Sequence, residues 1–156
     1  MGVKMTKKMQ QEFDNFIKDI PQNLNYLQET LKTSKKYEKT VIGYTPDLVD
    51  KIENFYLDVL EGEELPNIDK EKLYNAFFTF IGEAVIKNAK GNWEWCTIKA
   101  DEAFNTPIIL NWGNKDYGRP RISPKVAIKI LINDKERGGR GMLKEMIVRL
   151  QKDMKS

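Results

Sequence analysis

Phe80-Ile-Gly-Glu-Ala-Val-Ile-Lys-Asn-Ala-Lys-Gly-Asn-Trp-Glu-Trp95 is where the period of this chain changes. Up to Val85 the apolar residues recur at helical spacing; after Gly91 they alternate, with Trp93, Trp95 and Thr97 on one side and Glu94, Cys96 and Ile98 on the other. A helix therefore runs into a turn and the turn into a strand. Gly82 sits inside the helix, where glycine costs about 1 kcal/mol relative to alanine, so close packing against it is expected. Glu83, its neighbour, lies at the edge of the apolar stripe. A half-buried carboxylate there needs a donor, and an arginine or the indole N–H of Trp93 or Trp95 would serve. Gly82, Glu83, Gly91, Trp93 and Trp95 read as one structural motif.

Upstream, Thr45 is an N-cap candidate and Pro46 suits the first helical position. Leu48, Val49, Ile52, Phe55, Tyr56, Val59 and Leu60 make a wide apolar stripe that ends at Gly62. Leu65-Pro66-Asn67 reads as a turn, and Asp69 caps a second helix whose buried face is Leu73, Phe77, Phe78, Ile81, Ala84 and Val85. An antiparallel hairpin of the two helices is expected. Before them, roughly Lys7 to Thr33, the spacing predicts one or two helices broken by Pro21, followed by an exposed lysine-rich connector. This part, residues 1–45, reads as an N-terminal helical segment, either docked or reaching outward, beside a core domain over 46–156.

Downstream, Pro107 to Trp112 is a second strand closed by Gly113-Asn114, and Ser123-Pro124 opens a helix to about Ile132. Lys135 to Gly141, KERGGRG, is a basic glycine-rich loop without the terminal Lys-Ser/Thr of a phosphate-binding P-loop. A last helix carries Leu143, Met146, Ile147 and Leu150. The fold class is α+β: a helix-rich single domain with a helical hairpin, a small antiparallel sheet and C-terminal helices.

Composition narrows the chemistry. The 156 residues include no histidine and one cysteine, Cys96. Catalytic sets built on imidazole and a structural zinc site are thereby removed, and a disulfide framework within the chain is impossible. No paired carboxylates stand at a telling spacing. The expectation is a non-enzymatic protein with no catalytic residue, no metal and no cofactor. No apolar run approaches the roughly 20 residues of a membrane span, and a lone thiol suits a cytoplasmic setting.

Charge is segregated. Residues 44–83 hold 10 Asp/Glu against 3 Lys/Arg, a net −7, and residues 118–156 hold 11 Lys/Arg against 4 Asp/Glu, a net +7. Either two oppositely charged layers face each other within the fold, or one of them steers a partner. On the second reading the partner-binding face is acidic: Asp47, Asp50, Glu53, Asp58, Glu61, Glu63 and Glu64. The alternative is a basic face of Arg119, Arg121, Arg137 and Arg140, which would suit nucleic-acid phosphates.

The order aromatic-x-Gly-Glu (Phe80 to Glu83), Gly-x-Trp (Gly91 to Trp93), a proline-containing strand (Pro107 to Trp112) and the helix from Ser123 resembles a loose group of small bacterial proteins. Some of these act as immunity proteins beside secreted polymorphic toxins. The resemblance covers about residues 46–150 and implies a compact helix-plus-sheet domain that works by binding; the partner expected is a cognate protein toxin. It transfers no catalytic residue.

Overall fold

The computed structural model describes residues 2–114, 119–133 and 139–155. Among them are five helices and one two-stranded antiparallel sheet: α1 (Lys7–Thr33), α2 (Pro46–Leu60), α3 (Lys70–Ala89), β1 (Asn92–Trp95), β2 (Pro107–Leu110), α4 (Pro124–Asn133) and α5 (Met142–Lys155). The protein is helix-rich α+β. No helix among the described residues is long and apolar enough to cross a membrane.

The helix starts follow from local chemistry. Thr45 Oγ1 accepts the Leu48 N–H at 3.3 Å, Asp69 Oδ1 accepts from Glu71 and Lys72, each at 3.1 Å, and Ser123 Oγ accepts from Val126 at 3.1 Å. Each satisfies an N–H that the first turn leaves without an intrahelical partner. Helix α1 differs from the expected break: it runs unbroken through Pro21, which lies on an exposed side of the helix. There the Ile17 carbonyl that proline leaves without a donor lies on a side open to water.

Helix α3 is the centre of the molecule, because it is apolar on nearly every side. Its buried residues are Leu73, Ala76 to Gly82, Ala84, Val85 and Ala89, and a helix of that kind needs neighbours all round. It packs chiefly against α1 and α5, while α2 leans mainly on α5. The expected α2–α3 hairpin is thus a thinner contact than periodicity suggests, although Tyr56 stacks on Phe77 with ring centroids 4.2 Å apart. Leu27 and Leu31 of α1 and Tyr37 beyond it belong to the same continuous core as Phe55, Phe77 and Phe80.

In the sheet, Trp93 pairs with Ile109 and Trp95 with Pro107, so these side chains share the face turned to the main core. The opposite face covers a small second cluster of Cys96, Ala103 and Ile108. Both strands are shorter than expected. Past Trp95 the chain still exchanges hydrogen bonds with the returning loop, Cys96 N–H to Thr106 O and Asn105 N–H to Cys96 O at 2.9 Å each. Left-handed backbone at Asn105 (φ 67°) and Asn111 (φ 59°) ends the regular ladder.

Candidate interaction surfaces

The segregated charges meet inside the fold. Asp47, Asn54 and Asp58 on one stripe of α2, and Glu61 just past its end, face the start of α5. Arg140 donates to Asn54 Oδ1 at 2.7 Å, to Asp58 Oδ1 at 2.8 Å and to Glu61 Oε2 at 3.0 Å; Lys144 pairs with Asp47 at 2.8 Å. Glu53, with no exposed surface, reaches across to the first turn of α5 and accepts the N–H groups of Gly141 at 2.5 Å and Leu143 at 3.0 Å. A carboxylate from α2 therefore caps α5 and complements its dipole. Burial raises the Glu53 pKa, and the two N–H donors and Arg140 only partly oppose it.

Asp58, 2% exposed, also accepts from the Tyr37 hydroxyl at 2.5 Å and from Lys36 Nζ at 3.1 Å. Burial pushes its pKa up, but these donors and Arg140 outweigh it and hold the carboxyl below its ordinary range. Burial and the adjacent Asp58 raise the Tyr37 hydroxyl. Two members of the expected acidic face are thus corrected. Glu53 and Asp58 are interior groups, because a charge pattern segregated along the chain is matched across the fold. Glu64 accepts the Ser34 hydroxyl at 2.9 Å. Asp50 is half-buried and Glu63 exposed. Carboxylate oxygens of Asp58, Glu61 and Glu63 lie within 4.8 Å of one another, but Lys36, Tyr37 and Arg140 already serve the first two.

The expected basic face is engaged in the same way. Arg121 grips Asp101 through two bonds of 2.9 and 2.7 Å, which holds the Asp101 pKa down at about 2. Arg119 pairs with Asp153 and lies over the Trp112 ring at 4.8 Å. Arg140 belongs to the α2 network. Arg137 lies outside the described residues, as does most of the Lys135 to Gly141 segment.

The Gly-Glu-Trp motif is an anchor. Trp93 lies so close to α3 that a Cβ on Gly82 would sit 1.9 Å from its Cη2. The Trp93 indole donates to Glu83 Oε2 at 2.9 Å, and Trp95 donates to Asn105 Oδ1 at 3.2 Å. At Gly91 (φ 97°) a Cβ would meet the Leu110 carbonyl oxygen at 2.9 Å. These residues hold the sheet on the helices.

Beside this anchor, α1 and α3 leave a groove of 350 Å³ lined by Glu12, Phe16, Asp19 and Asn23 from α1 and by Tyr74, Asn75 and Phe78 from α3. Thr106 and Pro107 also line it. Phe16 meets Phe78 edge-on at 5.8 Å and Trp93 at 4.7 Å, and Phe78 stacks on Trp93. The three rings brace one another. Burial raises the Tyr74 hydroxyl pKa. A second opening, 480 Å³, lies where Tyr26, Thr30 and Thr33 of α1 face Leu65 to Ile68; its one carboxylate, Glu29, pairs with Lys32 at 3.3 Å.

No family model, curated protein or solved structure matches the chain. What it does has to be read from its own residues, and there the α1–α3 groove stands apart from the ion network. Glu12 and Asp19 make no hydrogen bond or ion pair among the described residues, whereas Asp47, Asp58, Asp101 and Glu102 all do. The groove is not legible in local sequence, because it forms only where α1 lies against α3. Its α1 side was present as a stripe, Glu12, Phe16, Asp19 and Asn23 at i, i+4, i+7 and i+11 of one helix.

Proposed function

We propose that this protein is a protein-binding module of the immunity type, neutralising a cognate toxin by covering part of its surface. The observation that carries the reading is the α1–α3 groove, where two carboxylates without a partner among the described residues border an aromatic floor. Such a combination suits the anchoring side chains of a basic protein. The chain's lack of histidine and the burial of Cys96 agree with action by binding, as does the resemblance carried by Phe80 to Glu83 and Gly91 to Trp93. Unmatched surface carboxylates would speed encounter with a basic toxin.

The alternative, a nucleic-acid-associated regulator, has less support. Arg119, Arg121 and Arg140 each already hold a carboxylate of this chain, and a phosphate would have to displace it. Co-expression with the product of the neighbouring reading frame, followed by tandem purification and a survival assay, tests the proposal. A stable complex and rescued growth are expected. No complex at micromolar concentration and no rescue would sink it, and salt-sensitive binding of labelled DNA or RNA would favour the alternative.

A further inference from the structure

The groove between α1 and α3 has the makings of a receptor for one particular side chain. Each polar side chain that lines it offers an acceptor oxygen: Glu12, Asp19, Asn23, Asn75, Thr106 and the Tyr74 hydroxyl, of which the last four also donate. Glu12 and Asp19 offer two carboxylates without a partner among the described residues. Asn23 donates its amide N–H to Thr79 Oγ1 at 3.2 Å, which fixes the amide, and its carbonyl oxygen has no donor among the described residues. The floor is the aromatic pair Phe16 and Phe78, held in place by Trp93. Among the described residues no lysine or arginine lines the groove. An acceptor-rich, aromatic-floored, cation-free recess calls for a ligand with many donors, a positive charge and a flat face.

Spacing decides which cation. Seven residues of helix separate Glu12 from Asp19, about 10.5 Å along the axis, and Phe16 lies between them. Carboxylates held that far apart flank a ligand rather than converge on a point, which disfavours a bare metal ion. They suit a planar guanidinium lying over the ring, its N–H groups directed outward to either side. A lysine ammonium is a point charge and would satisfy one rim at a time. We infer that the α1–α3 groove receives an arginine side chain presented by a basic protein partner. The identity of the partner rests on the binding function proposed above; the arginine specificity rests on the groove alone.

The test uses the isotope-labelled full chain and N-acetyl-argininamide as probe, followed by NMR. Saturable shifts are expected at the Asn23 side-chain amide and along α1 near Phe16. Acetyl-citrullinamide, the uncharged isostere, should give none, and acetyl-lysinamide should bind at least about fivefold more weakly. The pair of substitutions Glu12→Gln and Asp19→Asn, both at exposed helix positions, should weaken argininamide binding by about tenfold or more while leaving the far-ultraviolet dichroism unchanged. Shifts spread over unrelated acidic residues such as Glu63 and Glu71, or insensitivity to the paired substitution, overturn the inference. Undiminished partner capture by the doubly substituted chain also overturns it and leaves the binding function standing. Saturable argininamide binding with no protein partner captured does the reverse.

Discussion

Residue 82 shows how one missing side chain positions a sheet. The Trp93 ring occupies the space a Cβ would fill, and its N–H ends on the next residue of the same helix, Glu83. Alanine is the better helix former by about 1 kcal/mol, so propensity alone predicts that Gly82→Ala stabilises the protein. Sterics predict the opposite: the indole must leave its bond to Glu83 and its contacts with Phe16 and Phe78. Overpacking in a tight core costs typically about 1–3 kcal/mol, and a displaced buried N–H adds to that. Gly82→Ala is expected to lower stability by about 2 kcal/mol, read from the urea midpoint, with a red shift in tryptophan emission. An unchanged midpoint would mean that the ring is not held against the helix.

Among the elements, α1 carries the least local logic and the most consequence. Proline inside a helix removes an N–H and crowds the preceding turn, at a cost of about 3 kcal/mol or more. Yet α1 continues past Pro21, because Leu24, Leu27 and Leu31 beyond it and Phe13, Phe16 and Ile20 before it all pack on the same core. Tertiary burial outweighs the local penalty. Pro21→Ala restores the missing bond at an exposed position, with some loss from a freer unfolded chain. A net gain of about 1–2 kcal/mol is expected in urea or thermal melts. A loss would indicate that the proline shapes a bend the packing requires.

At the scale of the whole molecule, what could be read in advance was what is local. Thr45, Asp69 and Ser123 announce helix starts because a cap acts within three residues, and Gly91-Asn-Trp93 announces the strand for the same reason. Which layer faces which is not local. Glu53 and Asp58 look like surface charge because only the fold brings Gly141, Leu143, Arg140 and Tyr37 to them. The continuous α1 and the α1–α3 groove escaped for the same cause, since both depend on α1 lying against α3. These long-range carboxylate contacts give the molecule a characteristic response to pH. Asp101 titrates at about 2, below its ordinary 3.8, and Asp58 is also lowered. Their contribution is present above 3.8 and is lost as pH falls through that value toward the folded pKa. Glu53 is raised above its ordinary 4.5, so its contribution has the opposite sign: present in full below 4.5 and lost as pH rises through the folded pKa. Acidifying from neutrality should therefore raise the urea midpoint slightly while Glu53 takes up its proton, then lower it steeply below 3.8. Glu53→Gln should remove the rise, and Asp101→Asn should flatten the acid limb near its lower end. A midpoint that falls steadily from pH 7, with the same profile in Glu53→Gln, would show that the α2 carboxylate is not the buried cap of α5.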